Sequence, residues 1–277
     1  MNTLFTLARK EYKDGIRNRW VLAITILLAL FALSLVFLGS APVGETKASP
    51  IAITIVSLAS LNIFLLPLIA LLLAYDTIVG ESENGTMLLL LSYPLSRWQV
   101  VLGKYLGQSL ILATATLAAY AIAAAALLLQ HKNLNLSWNL WRPYLTMTLS
   151  TLALGCAFLA IGYLISALAR ERARAAGMAI GAWLFFVLIY DIALLSALIL
   201  DKGRIIGEKT LSWLLWANPA DSYRLLNLGS GDNAHVAGML NVGHSAALSP
   251  PLLILSLALW IILPLALAIL RFQRKAL

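Results

Sequence analysis

Few groups of residues in this chain have the types and spacing that catalysis needs. Gly80 and Gly85 have the spacing of a phosphate-binding loop, but Thr86 stands where that loop requires a lysine, and no buried strand pattern precedes it. We therefore expect that the chain does not hydrolyse ATP itself. There is no His-Glu-x-x-His motif and no Ser/His or paired-Asp arrangement, which weighs against an intramembrane enzyme.

Three residues near the end of the chain have side chains that suit copper. His235 and Met239 are four residues apart and His244 follows, and imidazole with thioether is a donor set that binds Cu(I). The many glycines around them are typical of a flexible loop. We therefore predict no metal site there and interpret the loop as a surface that docks a partner outside the membrane.

Two features inside apolar runs are candidates for function or for packing. Asp191 costs on the order of 2.5–3.5 kcal/mol if it faces lipid as a charge. It is therefore either a substrate or gating contact, or a carboxyl that bonds to a neighbouring helix or lies near the outer water layer, and we favour the second interpretation. Gly177 and Gly181 form a small-xxx-small step, which lets two helix backbones approach closely. This step fits a seam between two copies and packing within one chain equally well.

The composition is that of a membrane protein. Hydrophobic residues make up 61% of the 277 and charged residues 12%, about half the charged fraction of a soluble domain. The net charge of +8 comes from basic residues at the ends of apolar runs, which is typical of membrane topology rather than of nucleic-acid binding. Cys156 is the single cysteine, so no intrachain disulfide can form.

Six apolar runs are long enough to cross a bilayer, which takes about 20 helical residues. We predict an all-α integral membrane protein with one transmembrane domain, residues 1–277, surrounded by membrane lipid. The runs are residues 20–39, 51–75, 105–130, 144–168, 177–200 and 252–270.

The distribution of Lys and Arg predicts that both ends of the chain are cytoplasmic. With the N-terminus inside, the cytoplasmic segments hold 13 basic residues in 63, against 7 in 75 on the other side. The positive-inside rule favours this orientation. The connection 76–104 then lies in the cytoplasm, and the connection of about 50 residues at 201–251 lies outside.

The leader, residues 1–19, has the pattern of an amphipathic helix in the headgroup layer. Its interpretation stays open between a topological anchor and an elbow helix that moves with the first span. The apolar stripe consists of Leu4, Phe5, Ala8, Tyr12 and Ile16, and the basic face of Arg9, Lys10, Lys13 and Arg17.

In the outer connection, residues 211–216 are predicted to form an amphipathic segment at the membrane interface.

The cytoplasmic connection contains a predicted helix-turn-helix. A short leucine-rich helix covers Thr86 to Leu91 and ends before Pro94. Ser96 and Gln99 then form a capping box, so the next helix runs from Arg97 to Gln130. Its 34 residues span about 51 Å at 1.5 Å per residue, so its first turns project into the cytoplasm. The exposed leucine face of the short helix needs a partner to cover it.

This connection resembles the coupling segment of ABC-2-type transporter permeases. That family has an acid-x-Gly-Thr string, a leucine-rich helix, a Ser/Thr-x-Pro and an arginine before a Gly-Lys. The basic leader, the six runs and the long outer connection are also similar. The matching strings here are Glu83-Asn84-Gly85-Thr86, Ser92-Tyr93-Pro94, Arg97 with Gly103-Lys104, and, in the outer connection, Asn218-Pro219 with Asp221 to Arg224.

Within that family, residues 11–20 and 92–108 resemble the permease subunit of the transporter that matures nitrous oxide reductase. There, a separate cytoplasmic ATPase, which binds ATP and Mg, and a periplasmic copper-handling subunit complete the complex. The resemblance implies a permease in two copies in the bacterial inner membrane, without a cofactor of its own. It also implies an ATPase contact at Glu81, Glu83, Gly85, Thr86, Leu89, Pro94 and Arg97. The other interpretation of this segment is an ordinary capped cytoplasmic loop.

The alternative to an ABC permease is a self-contained secondary carrier or channel. Such proteins usually have several intramembrane charges or broken helices at a midplane site. In this sequence Asp191 is nearly the only charged residue inside an apolar run. The permease interpretation is therefore favoured, and the work it delivers is either export or a conformational stroke on a periplasmic protein.

Overall fold

The protein is helical throughout the part that the structure describes. A computed structural model describes residues 3–17, 19–38, 49–92, 95–131, 137–201, 207–228 and 248–274. These ranges contain helices, turns and short links but no β-strand. A helix satisfies its backbone hydrogen bonds within one segment, as a chain in hydrocarbon requires. The predicted all-α class is confirmed.

The described ranges contain twelve α-helices and one π-helical turn. The helices before residue 131 are α1 Thr3–Arg17, α2 Trp20–Leu38, α3 Pro50–Ala74, α4 Val79–Glu83, α5 Thr86–Leu91 and α6 Arg97–Gln130. The later elements are α7 Trp138–Leu168, α8 Arg172–Leu184, the π-helical turn Phe185–Ile189, α9 Tyr190–Asp201, α10 Glu208–Ala217, α11 Pro219–Leu228 and α12 Pro250–Gln273.

Five helical segments are long and apolar enough to cross a membrane, or six if one bent pair counts as a span. The bent pair joins α1 to α2 at an angle of 67°. Residues 20–38 of the first predicted apolar run, 20–39, form α2, and residue 39 lies outside the described residues. The other five runs lie in the five segments. The segments are Pro50–Glu83, Arg97–Gln130, Trp138–Leu168, Arg172–Leu200 and Pro250–Gln273.

Local signals place several helix ends. α5 and α6 have the bounds predicted from the sequence, and the predicted capping box is present, with Ser96 N donating to Gln99 Oε1 at 2.9 Å. Ser49 caps α3 by accepting from Ala52 N at 3.2 Å, and Pro50 occupies the first helical position. Proline is favoured there because its missing N–H has no partner within the helix.

The central helix is α7, which packs against α3, α6 and α12. In its most apolar stretch 72% of residues are buried. Gly155 brings α7 close to α3 and α6, since a Cβ there would overlap Leu112 and lie 3.2 Å from Leu66 Cδ2. In lipid the hydrophobic effect does not drive helices together, so close packing contacts of this kind hold α7 against its neighbours.

The leader helix α1 packs along the first turns of α6. Gly103 and Gly107 on α6 make room for it, because a Cβ on Gly107 would lie 2.8 Å from Ala8 O. Ala8 is buried, whereas Phe5 and Ile16 are 67% and 48% exposed. The predicted apolar stripe is thus divided between a protein-facing side and a side that remains open.

The connection 201–251 contains a helix that was not predicted from the sequence, α11. The predicted segment 211–216 lies in α10, but the next helix, α11, packs against α3, α7 and α12. Tyr223 of α11 is fully buried, and its hydroxyl lies 2.9 Å from Thr151 Oγ1 and accepts from Asn62 Nδ2 at 3.3 Å. The described part of this connection therefore enters the helical body.

Candidate functional site

The connection between α3 and α6 starts at a fixed point. Ser166 Oγ of α7 accepts hydrogen bonds from Ile78 N at 3.0 Å and from Val79 N at 3.1 Å. The first turn of a helix leaves such N–H groups without intrahelical partners. The bonds to Ser166 supply partners and hold the start of α4 against α7.

Gly85 forms the turn between α4 and α5. Its φ is +71°, a left-handed conformation that costs a residue with a Cβ about 1–2 kcal/mol. A Cβ at this position would have no atom within 4 Å, so the backbone conformation, rather than lack of space, favours glycine. Thr86 Oγ1 donates to Glu81 O at 3.3 Å and closes the same turn.

α5 directs two neighbouring leucines outward. Leu88 and Leu89, which we call the leucine patch, are 60% and 69% exposed, whereas Met87 before them is 1% exposed. Met87 anchors the short helix to the core. Single exposed leucines are common on proteins, but a fixed apolar pair at the tip of a polar connection is typical of an interaction surface.

A buried lysine holds the connection from behind. Lys104 Nζ lies 2.7 Å from Glu81 Oε1 and 2.9 Å from Glu11 Oε1, and its side chain is only 4% exposed. These three residues, the Lys104 cluster, join α6 to α4 and to α1. A buried ion pair of this kind is strongly destabilising to break, because the remaining partner becomes an unpaired buried charge.

A second ionic contact joins the connection to α8. Arg172 Nε lies 2.9 Å from Asp76 Oδ1 and 3.5 Å from Glu83 Oε2. The Arg172 backbone N–H also donates to Glu83 Oε1 at 2.8 Å. The side chains are partly exposed, so each ion pair contributes little, but the Glu83 carboxylate also satisfies the positive N-terminus of α8.

Arg97 joins the start of α6 to the end of α12. Its Nη1 donates to Phe272 O and Gln273 O, both at 3.2 Å, and its guanidinium lies 5.9 Å from the centre of the Phe272 ring. The last carbonyls of a helix lack intrahelical donors and attract cations. The first turn of α6 and the last turn of α12 are therefore on the same side of the molecule.

The predicted contact residues divide into two groups. Gly85, Thr86 and Leu89 are exposed, whereas Glu81 and Glu83 bind Lys104 and Arg172 within the chain. Arg97 binds α12, as described above, and Pro94 lies outside the described residues.

Sequence reasoning missed both cationic partners of the predicted carboxylates, Lys104 and Arg172, and it also missed Glu11, which shares Lys104 with Glu81. A signal was present for Lys104, because Gly103 and Gly107 have the spacing of a close helix–helix approach and Lys104 stands between them.

Comparison with known proteins identifies the family. A model of the ABC-2 family transporter proteins matches residues 5–277. The chain belongs to this family. It is similar to two proteins named probable ABC transporter permease protein NosY, one of Pseudomonas aeruginosa, 46% identical over 275 residues, and one of Stutzerimonas stutzeri, 46% identical over 276 residues. Each alignment covers 99% of both chains. The resemblance seen in the sequence is confirmed, and the chain is an ABC transporter permease subunit.

On the opposite side of the permease, Asp191 pairs with Arg224 of α11. Arg224 Nη2 donates to Asp191 Oδ2, and Nη1 donates to Asp221 Oδ1 at 2.7 Å. Burial raises the pKa of Asp221 above its ordinary value, and Arg224 opposes this rise. Of the two interpretations of Asp191, the structure contains the contact with a neighbouring helix.

The π-helical turn of the permease lies next to this ion pair. A π-turn departs from the regular α-helical bonding pattern, and Asn218 Nδ2 donates to Phe186 O within it at 2.9 Å. Tyr190 OH donates to Leu214 O of α10 at 2.7 Å. The segment Arg172–Leu200 is the fifth candidate span when the bent pair of α1 and α2 counts as the first. Together with the Asp191–Arg224 pair, these bonds join the fifth candidate span to α10 and α11.

The fifth candidate span of the permease is almost unburied within the chain. In its most apolar stretch 6% of residues are buried, against 72% in α7. Gly177 and Gly181 have no atom within 4 Å of the position of a Cβ, unlike Gly155 and Gly162 of α7. Gly177 and Gly181 therefore make no close helix contact with the described parts of their own chain.

The weak copper candidates His235, Met239 and His244 lie outside the described residues. Within the described ranges, no group of three or more His, Cys, Asp or Glu side chains is arranged to hold a metal ion.

Proposed function

We propose that this permease receives the motion of a separate cytoplasmic ATPase at the leucine patch and delivers it to the outer side of the membrane. ATP and Mg are bound by the partner, and this chain performs no hydrolysis. The observation that carries the proposal is the leucine patch itself, two leucines 60% and 69% exposed at the tip of a connection whose acidic residues are bound to other helices.

The ionic contacts behind the patch make it suitable as a lever. The Lys104 cluster links α4 to α1 and α6, Arg172 links α4 to α8, and Arg97 links α6 to α12. A displacement of α5 is therefore passed to four other helices rather than absorbed in a loose loop. Because packed interfaces move between discrete arrangements, such a frame can transmit a small shift over a long distance.

The fifth candidate span offers a route to the other side. Its first residue, Arg172, binds Asp76 and Glu83, and about two thirds of the way along it Asp191 binds Arg224. α8 and α9 thus connect the coupling segment, residues 76–104, to α10 and α11. We propose that this span carries the stroke outward, either to move a substrate or to act on a partner.

The proposed orientation places the coupling segment and both chain ends in the cytoplasm. The basic residues of the leader and of the last seven residues support this orientation. It is consistent with the contacts of α1 and of the end of α12 with the first turns of α6. The membrane is then the inner membrane of a bacterium.

A second copy of this chain would cover the exposed fifth candidate span. Gly177 and Gly181 present bare backbone on a span that is 6% buried in its apolar stretch. Small residues let backbones of two helices approach in a membrane. We therefore propose a homodimer with this span at its seam.

The relatives named NosY support a more specific role. We propose that the permease acts in the copper-site maturation of nitrous oxide reductase, where a periplasmic copper-handling partner receives the stroke. The support is the 46% identity to the two relatives and the resemblance of residues 11–20 and 92–108 to that branch of the family. Copper is then handled elsewhere in the complex rather than by the described residues of this chain.

Charging the leucine patch tests the proposal. The double variant Leu88→Asp and Leu89→Asp is expected to lose most of its ATPase subunit during affinity purification while staying in the membrane, because a desolvated carboxylate in an apolar contact costs several kcal/mol. The double variant Trp138→Asp and Asn139→Asp is the matched control, since both residues are exposed at the start of α7, in the connection 131–143 between two apolar runs. Full retention of the ATPase by the double variant would refute the coupling assignment.

A further inference from the structure

A polar cavity of 340 Å³ lies beside the Lys104 cluster, between α1, α6 and α8 and the segment from α3 to α4. Asp14, Asp76 and Arg172 have half-exposed side chains on its wall, whereas Lys104 and Gln108 are buried. The cavity is therefore open on one side and closed on the other. Nothing in the proposed coupling at the leucine patch uses it.

The cavity has an excess of negative charge. Its charged lining consists of four carboxylates and two cations, so its net charge is −2. The four carboxylates are Glu11, Asp14, Asp76 and Glu81, and the two cations are Lys104 and Arg172. A low-dielectric cleft with an excess of one sign of charge favours ligands of the opposite sign.

Three buried oxygens of this lining have no hydrogen-bond partner among the described residues, and one of them, Asp76 Oδ1, still has Arg172 Nε at 2.9 Å as an ion-pair partner. The other two belong to Gln108 and Glu81. Gln108 is 8% exposed, and its Nε2 donates to Thr77 Oγ1 at 2.8 Å, which leaves Oε1 without a donor. Glu81 binds Lys104 through Oε1, and its Oε2 is likewise without a donor. Both atoms accept hydrogen bonds and cannot donate them, and a buried acceptor left unpaired is unfavourable.

These observations define the ligand by its chemistry. An anion would meet a net negative charge and two further acceptors. A chelated metal ion is not supported, because no three ligating side chains among the described residues are suitably arranged. A cation with several N–H donors satisfies both the charge and the acceptors, and the cavity of 340 Å³ has room for it.

We propose that this cavity binds an ammonium or guanidinium group that donates to Gln108 Oε1 and Glu81 Oε2. The group belongs either to a free organic amine or to a lysine or arginine side chain of the ATPase subunit. The second source rests on the proposed function, whereas the first does not. In both cases the bound cation bridges α6 and α4, directly behind the leucine patch.

Spermidine binding to the purified permease in nanodiscs, measured by calorimetry at constant ionic strength, tests the free-amine source. Asp14→Asn should weaken binding about threefold, since it removes one rim charge. Gln108→Leu should weaken it about tenfold, since it removes a hydrogen bond to a charged ligand. Glu171→Gln, which removes one exposed charge outside the cavity lining, is the control and should leave binding unchanged. Equal binding by all variants would overturn the proposal.

If the permease alone binds no spermidine, the complex distinguishes the second source. A photoreactive amino acid in place of Asp14 in the permease–ATPase complex should crosslink to an ATPase peptide with a lysine or arginine at the contact. The absence of both spermidine binding and this crosslink would overturn the proposal. These outcomes are separate from those of the leucine-patch variants, because spermidine binding is measured without the ATPase.

Discussion

Replacing Lys104 with methionine is expected to lower the thermal midpoint of the purified permease by about 5–10 °C. The change leaves Glu11 and Glu81 without the cation that both bind, at 2.9 and 2.7 Å. Removing one partner of a buried ion pair costs about 3–5 kcal/mol of stability. For a protein of this size, a fall of about 5–10 °C in the thermal midpoint corresponds to about 3 kcal/mol. α1 should also become accessible to proteolysis, because the cluster holds it on α6.

Two further variants separate this explanation from a simple loss of packing. Lys10→Met removes a lysine whose side chain is 57% exposed, and it should change the midpoint by less than about 1 °C, as surface pairs contribute little. The triple variant Lys104→Met, Glu11→Gln and Glu81→Gln removes all three charges and should recover most of the loss. If the triple variant is as unstable as Lys104→Met, unpaired charge is not the cause.

Replacing Arg224 with methionine is the second large effect that we expect. Asp221, whose side chain is 1% exposed, loses its cation, and α9 loses its ionic contact with α11. The cost is again about 3–5 kcal/mol, and it should appear as a fall of several degrees in the thermal midpoint. The ATPase subunit should remain bound, because the leucine patch is at the other end of the molecule.

The effect of Arg224→Met should depend on pH in a definite direction. Burial already raises the pKa of Asp221, and loss of Arg224 raises it further. A carboxyl whose pKa is higher in the folded state than in the unfolded state lowers the free energy of unfolding when it ionises. This loss is absent below the unfolded-state pKa of 3.8 and complete above the folded-state pKa. The difference in midpoint from the unchanged protein should therefore be larger at pH 8 than at pH 5.

The double variant Arg224→Met with Asp221→Asn serves as the control. It removes the buried carboxylate together with its cation, so most of the stability should return and the pH dependence should largely disappear. A deficit of Arg224→Met that is equal at both pH values would contradict the role assigned to Asp221.

Elements governed by local signals were predicted closely from the sequence. The bounds of α5 and α6 follow from a proline and from the Ser96–Gln99 capping box, all within a few residues of the helix ends. The candidate spans follow from apolar length alone. In both cases the information lies within one stretch of chain, which is why no knowledge of packing was needed.

α11 was missed because its burial depends on distant residues. It has no long apolar run, and its place in the core relies on contacts such as Tyr223 with Asn62 and Thr151, which are 161 and 72 residues away. The same contacts bear on the carrier alternative. These polar side chains near the middle of α3 and α7 bind one another, and they are buried rather than open to a path.

The candidate site was predicted in position but only partly in its contacts. Local patterns indicated an acidic turn and a leucine-rich helix at residues 80–91. The partners of the acids come from 23 residues away in the case of Glu81 with Lys104 and 89 residues away in the case of Glu83 with Arg172. A single sequence does not reveal which of several basic residues reaches a given carboxylate.

The leucine patch must be a cytoplasmic surface that the ATPase covers if it receives the motion of that subunit. A membrane-impermeant maleimide tests this with Leu89→Cys in a Cys156→Ala background, which removes the single native cysteine. Asn139→Cys in the same background, an exposed position in the connection 131–143, reports the opposite side of the membrane.

We predict that Leu89→Cys is labelled in inside-out vesicles but not in right-side-out vesicles, and that the bound ATPase subunit blocks its labelling without affecting Asn139→Cys. Labelling of Leu89→Cys from the outer side, or labelling that is indifferent to the ATPase, would show that the leucine patch is not a cytoplasmic surface covered by the ATPase.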